Sequence, residues 1–355
     1  MTLRVAVDAS ELAWGVGGIG RYLEAVLREL AQDPRLELTL ITNASSPVTD
    51  IPGTEERNAR VKGGPLWRST ALISQARAAK ADLLWCPSPL CPIRPLDLPL
   101  VVTVHDLSPV LHRGTKPLTE TVAMAVAGRL GARRAQRILC VSQSTSTDLQ
   151  QHWGIGEERL AIVPLAVGSQ FHPGDRAAAA DRVARRWDLR QPFLLAAGTI
   201  EPRKGYDLLV ELAGLQELPI VIAGRNGPHS DQLVRQLKAT CVLLGGVTDE
   251  ELINLYRAAE LLLTPSLYEG FGLTPLEAMA CGTPALVAQG AGALEEMAAL
   301  GATRVPRRAT GWAAAVDGLR GRREEASVTG HALATSRTWT HVANETVQTL
   351  LDAAR

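Results

Sequence analysis

Two glutamates, Glu269 and Glu277, bracket the run Tyr268-Glu-Gly-Phe-Gly-Leu-Thr-Pro-Leu-Glu277. A glycine-bearing turn that leads into a helix presents free backbone N–H groups and the positive end of a helix dipole, which stabilise a phosphate. The carboxylates on either side cannot serve that phosphate. They can accept hydrogen bonds from hydroxyl-rich groups such as a ribose and a hexose. Thr274, Pro275 and Glu277 read as N-cap, first and third helical residues, so the helix start is predicted at this point. Together these features describe a pocket for a nucleotide sugar. A structural alternative stands beside it: Thr274-x-x-Glu277 is a formal capping box, and Glu269 could be a solvated loop residue.

Further candidates lie at predicted strand ends, where α/β folds bind ligands. Gly198-Thr-Ile-Glu-Pro-Arg203-Lys204-Gly205 places two adjacent cations on a Pro/Gly-bounded loop. Arginine can fork onto two phosphate oxygens and lysine adds a compact charge, so Arg203 and Lys204 suit a diphosphate. His105-Asp106 ends the strand Val101–His105, and no partners at ligand spacing make the histidine a metal site. Gly224-Arg225-Asn226-Gly227 and Gly245-Gly246-Val247 end two more strands. Gly15-Val-Gly17-Gly18-Ile-Gly20 satisfies a dinucleotide-binding pattern ahead of a helix. However, Gly15 stands well past the strand end at Asp8, and the second strand ends at Ile41-Thr-Asn43 without an acid for a ribose. A loop whose backbone closely approaches a sugar or diphosphate explains these glycines better.

The elements that must carry these residues alternate along the chain. Strands are predicted at Leu3–Val7, Leu36–Ile41, Leu83–Cys86, Leu100–His105, Arg137–Val141 and Leu160–Val163. The second half repeats the scheme at Phe193–Ala197, Ile220–Ala223, Cys241–Leu244, Leu261–Thr264 and Ala285–Ala288. Helical periods fill the gaps, including residues 21–31 and a capping box at Thr248-x-x-Glu251. This is the pattern of doubly wound parallel sheets. Residues 43–66 read as a long loop. The 355 residues exceed one ordinary core, and 37 basic against 37 acidic side chains argue against nucleic acid as a partner. Five scattered cysteines form neither a disulfide framework nor zinc spacing. The first residues enter a strand pattern without a signal-peptide core, and no run is a membrane span, so a cytoplasmic protein is expected. Arg129, Arg133 and Arg137 fall at i, i+4, i+8. That spacing predicts a basic helical stripe, either solvated or in peripheral contact with anionic lipid at the inner membrane.

The stretch Glu-Gly-Phe-Gly-Leu-Thr-Pro-Leu-Glu-Ala-Met-Ala-Cys-Gly-Thr-Pro284 resembles the Glu-x7-Glu signature of retaining glycosyltransferases of family 4. Gly17-Gly-Ile-Gly-Arg-Tyr22, Val104-His-Asp-Leu-Ser108 and Gly198-Thr-Ile-Glu-Pro-Arg-Lys204 look most like that family's bacterial mannosyltransferase-like branch. The resemblance implies an α/β protein with the GT-B fold, two Rossmann-like domains facing a cleft. These are an acceptor domain at 1–173, a donor domain at 174–336, and a last helix at 337–355 packing back onto the first. It implies catalytic roles for His105, Arg203, Lys204 and Glu269. Donor binding is implied for Gly17, Gly18, Gly224, Arg225, Val247, Glu277 and the N–H groups of Phe271, Gly272, Leu273 and Thr274, and acceptor binding for Tyr22 and Asp106. Neither cofactor nor metal is implied. The donor would be GDP-mannose or, alternatively, UDP- or ADP-glucose; the acceptor would be a glycan, a lipid-linked saccharide or a small molecule, as in polysaccharide biosynthesis. The family's Ser-x-x-Pro-Glu turn is absent: Gly290-Ala-Gly-Ala-Leu-Glu295 stands there. Two rivals remain at this point, an NAD-dependent oxidoreductase or epimerase and a non-catalytic sugar-nucleotide-binding protein.

Overall fold

The computed structural model describes residues 2–14, 18–43, 50–59, 67–94, 96–112, 118–190 and 192–355. Continuous apolar runs such as Leu194–Ala197 and Leu261–Thr264 are buried along their whole length. Strands with both faces covered by helices read this way, because neither face meets water. The chain divides into two compact units, one of Met1–Leu111, Leu118–Leu165 and Trp339–Arg355, the other of His112–Pro117 and Ala166–Thr338.

Unit 1 carries seven strands: β1 (Leu3–Asp8), β2 (Leu36–Thr42), β3 (Thr54–Asn58), β4 (Leu83–Cys86), β5 (Leu100–Val104), β6 (Arg137–Cys140) and β7 (Leu160–Ile162). They are ordered β3-β2-β1-β4-β5-β6-β7, and every pairing is parallel. Unit 2 carries β8 (Leu194–Ala197), β9 (Ile220–Ala223), β10 (Val242–Gly245), β11 (Leu261–Thr264), β12 (Ala285–Ala288) and β13 (Thr303–Val305). Their order is β10-β9-β8-β11-β12-β13, again parallel throughout. The order reverses between β1 and β4 in one sheet and between β8 and β11 in the other. A crevice opens at the carboxyl ends of strands at such a reversal, and there open α/β sheets bind their ligands. In unit 2 the loops flanking the reversal are those after β8 and β11, which carry Arg203, Lys204 and Glu269.

The helix Trp339–Ala353 belongs to unit 1, buries Val342, Val347 and Leu350, and packs on the helix Gly18–Leu30. The Thr340 hydroxyl donates to Glu29 Oε2 at 2.8 Å in that contact. The Thr248 capping box forms with both of its hydrogen bonds, so the helix Asp249–Ala258 starts where its sequence marks it.

Three local expectations differ from the structure. The main segment of unit 1 ends at Leu165 and not at residue 173, before the chain returns to it at Trp339. Residues 54–58 form the edge strand β3, not a loop; its charged Thr-Glu-Glu-Arg-Asn sequence lacks apolar alternation because an edge strand is half solvated. Arg137 lies on β6, beyond the helix Arg129–Arg134, so the three arginines make no single helical stripe. No helix among the described residues is long and apolar enough to cross a membrane.

Leu350→Ala should cost about 2–5 kcal/mol, because it leaves a cavity where the last helix meets unit 1. Urea unfolding followed by circular dichroism measures this; a change under 0.5 kcal/mol on the order of surface substitutions would contradict the packing.

Candidate active site

In unit 2, β8 ends at Ala197 and the chain passes through Gly198 to Glu201-Pro-Arg-Lys, where Pro202–Lys204 forms one 3-10 turn. Gly205 closes that turn at φ +64°, and a side chain there would sit 2.2 Å from the Pro265 carbonyl oxygen. The loops after β8 and β11 are therefore pressed together, and Leu267 N–H donates to the Arg203 carbonyl at 2.8 Å. This backbone tie sets the two cations against the acid of the second loop. Arg203 Nη1 reaches Glu269 Oε2 at 2.9 Å and the Tyr268 carbonyl at 2.9 Å. Lys204 Nζ reaches Glu269 Oε1 at 2.7 Å, and the Ser266 hydroxyl donates to the same oxygen at 2.6 Å.

Glu269 is thus neither solvated nor idle. Burial alone would raise its carboxyl; the charges of Lys204 and Arg203, with hydrogen bonds from Lys204 and Ser266, outweigh that and hold it at about 2. Its backbone is gripped from the other side, with Glu269 N–H donating to Ala291 O and Ala293 N–H donating to Glu269 O. The Gly290–Glu295 turn, which lacks the serine and proline of the resemblance, does this through main chain alone.

Three residues beyond Glu269, Gly272 caps the helix Leu273–Ala280 with its backbone at φ +109°. The expected cap at Thr274 is not formed: the helix begins two residues earlier, with Gly272 in the cap position and no cap side chain. A glycine in the left-handed region turns the chain sharply into the helix and carries no side chain that could cap its first N–H groups. Glu277 is buried and accepts the Tyr256 hydroxyl on Oε2 at 3.0 Å.

The neighbouring loops complete the rim. Gly224 follows β9, where a Cβ would fall 1.8 Å from the Gly198 carbonyl oxygen, so the glycine is required by contact between the two loops. Arg225 is exposed and lies against Gly246, whose own Cβ would meet its Nε at 2.8 Å. Val247 is half-buried next to it. Phe271 is buried, while Leu273 and Thr274 are half-buried at the helix start.

Unit 1 holds a separate cluster. His105 Nε2 lies 3.0 Å from the Pro87 carbonyl, which can only accept, so that nitrogen carries the hydrogen and Nδ1 of the neutral ring is an acceptor. Burial lowers the imidazole's pKa, partly offset by the Pro87 carbonyl and by Asp106, and this keeps the ring neutral. Tyr22 is buried, with its ring edge-on to His105 at 4.8 Å and its hydroxyl 3.4 Å from Thr103 Oγ1. Its place is thus behind the histidine. Asp106 Oδ1 accepts from Ser108 N–H at 2.8 Å and from the Ser108 hydroxyl at 2.7 Å. Gly18 opens its helix with free space around it; Gly17 lies outside the described residues. Sequence reasoning missed Ser266, Tyr256 and Glu201. Of these only Glu201 carried a local signal, two residues before Arg203.

Because the Glu269 carboxyl sits below its ordinary 4.5, it binds fewer protons folded than unfolded down to about pH 2. Its stabilisation is complete above pH 4.5 and disappears as pH falls toward 2. Wild type should therefore lose on the order of 3 kcal/mol across that window relative to Glu269→Gln. Urea melts of both proteins from pH 6 to about 3 should show roughly 2 kcal/mol of that loss; parallel curves would contradict the ion cluster.

The family model described as Glycosyl transferases group 1 matches residues 178–320, and that of Glycosyltransferase Family 4 matches residues 16–170. The chain is 30% identical over 327 residues to the D-inositol 3-phosphate glycosyltransferase of Salinispora arenicola, covering 77% of this chain and 72% of that one. It is 30% identical over 201 residues to the serotype-specific mannosyltransferase WbdA of Escherichia coli, covering 52% of this chain but only 25% of the relative. The chain thus spans about a quarter of the length of the mannosyltransferases it matches. A solved sucrose-phosphate synthase from Thermosynechococcus elongatus shares the fold at 18% identity, with a TM-score of 0.80 over 98% of both chains. Two parallel Rossmann-like units with these matches make the chain a member of glycosyltransferase family 4, with the GT-B fold.

Proposed function

We propose that the protein is a retaining hexosyltransferase that moves mannose from GDP-mannose to a hydroxyl of a glycan, a lipid-linked saccharide or a small molecule. The observation that carries this reading is the meeting of Arg203, Lys204 and Glu269 beside an uncapped helix start. Two cations and the first N–H groups of the helix Leu273–Ala280 would receive the donor's diphosphate. Glu269, ionised throughout the physiological range, accepts from sugar hydroxyls and does not serve as a proton donor. Glu277 takes the ribose. Arg225 and Val247 line the side of the base.

Chemistry then follows from charge. As the bond between the anomeric carbon and the phosphate oxygen breaks, negative charge grows on the diphosphate, and preorganised cations stabilise it without rearrangement. The acceptor oxygen attacks from the same face, and its proton passes to the departing phosphate oxygen, so the anomeric configuration is kept. Arg203 and Lys204 take the role a metal would otherwise fill, so none is assigned. His105, neutral with Nδ1 as an acceptor, orients a hydroxyl, and Tyr22 holds the imidazole in place. Mannose is favoured by the similarity to WbdA; UDP- or ADP-glucose is the alternative donor for the same chemistry. The protein would work in the cytoplasm. An acceptor at the inner membrane is supported by Val122, Val126 and Leu130, exposed near Arg129 and Arg133.

A thermal-shift panel of GDP-, UDP- and ADP-sugars should raise Tm most with GDP-mannose, because stabilisation grows with affinity for the native state. A larger shift with a UDP- or ADP-sugar would reassign the donor, and no shift with any would sink the reading. With the selected donor, Lys204→Ala should lower kcat by about 10²–10³, while excess EDTA leaves the rate unchanged. Full turnover by Lys204→Ala, or loss of rate with EDTA, contradicts the proposed role.

A further inference from the structure

The donor-side cations are balanced by a second carboxylate that the proposed reaction does not use. Glu201 is buried, at 8% exposure, immediately before the 3-10 turn that carries Arg203 and Lys204. Its Oε1 accepts from Arg203 Nη2 at 2.7 Å and from Nε at 3.2 Å. The other side of the same guanidinium faces Glu269 and the Tyr268 carbonyl. Glu201 is itself braced. Ile200 bridges to Asn226, and a Cβ on Gly227 would stand 3.3 Å from Glu201 Cβ. Two cations therefore meet two carboxylates, and the buried cluster is formally neutral.

Neutrality has a consequence for turnover. A nucleoside diphosphate released by transfer carries one more ionisable phosphate oxygen than the sugar nucleotide that entered. A site with surplus positive charge grips the product more tightly than the donor and slows its departure. Energy spent on binding the product adds nothing to the chemical step. We propose that Glu201 is a positioning and charge-balancing residue of the donor site. It orients the Arg203 guanidinium and cancels one of the two positive charges, so that the nucleoside diphosphate can leave. This rests on the donor-site reading above and identifies the product-release control of that same site.

The test begins with wild-type binding of the nucleoside diphosphate of the selected donor, measured by calorimetry. Absence of binding there would defeat the donor-site reading itself. Given binding, Glu201→Gln keeps an acceptor for Arg203 and removes the charge. It should tighten the nucleoside diphosphate by about three- to tenfold, strengthen product inhibition and lower kcat more than it changes KM. Glu201→Asp keeps the charge and should stay within about twofold of wild-type product affinity. Glu201→Ala is the second charge-removing variant, used if the glutamine variant does not melt cooperatively. Unchanged or weaker product binding in the folded charge-removing variant would overturn the proposal, as would equal tightening by Glu201→Asp.

Discussion

One carboxylate, that of Glu269, ties together the two loops that meet at the strand reversal of unit 2. It takes Lys204 and Ser266 on one oxygen and Arg203 on the other, almost out of reach of solvent. Ion clusters of this kind contribute little net stability, since removing each charge from water costs several kcal/mol on the order of what attraction returns. Their value is geometric. The cluster joins the loop after β8 to the loop after β11 at the point where strand order reverses. Gly205 and Gly224 permit those loops to touch neighbouring backbone, and Arg307 adds hydrogen bonds to the Gly205 and Pro265 carbonyls.

Unit 1 places a different kind of group at the corresponding sheet edge. Thr103 Oγ1 on β5 accepts the Trp85 indole N–H at 3.0 Å and contacts the Tyr22 hydroxyl. That buried network fixes Tyr22, and Tyr22 fixes the face of His105. Beside it, Asp8 at the end of β1 pairs with Arg68 at 2.7 Å, both almost fully buried. Unit 2 thus gathers its charges around Glu269, while unit 1 combines the neutral His105 ring with a buried Asp8–Arg68 pair.

Much of the fold could be read from the chain because parallel strands buried on both faces announce themselves as apolar runs. Leu83–Cys86, Ile220–Ala223, Leu261–Thr264 and Ala285–Ala288 have the bounds expected of them. The two missed strands, Thr54–Asn58 and Thr303–Val305, sit at sheet edges, where solvent on one side removes that signal. At the site, residue types pointed to the cations and acids, and their convergence followed from strand order. What could not be read was side-chain partnership. Thr274-x-x-Glu277 spells a capping box, yet Gly272 at positive φ starts the helix early, and Glu277 accepts the Tyr256 hydroxyl. Ser266 and Tyr256 meet their acids only through packing. Backbone bonds from Ala291 and Ala293 likewise leave no trace in residue identity, which is why the altered Gly290–Glu295 turn still supports Glu269.

The central claim is that the Arg203–Lys204–Glu269 cluster is a diphosphate site and not a structural knot. A crystal structure with a bound nucleoside diphosphate tests it most directly. Phosphate oxygens are expected within hydrogen-bond distance of Lys204 Nζ, the Arg203 guanidinium and the N–H groups that open the helix Leu273–Ala280. A diphosphate bound elsewhere, with the cluster unchanged and untouched, would contradict it.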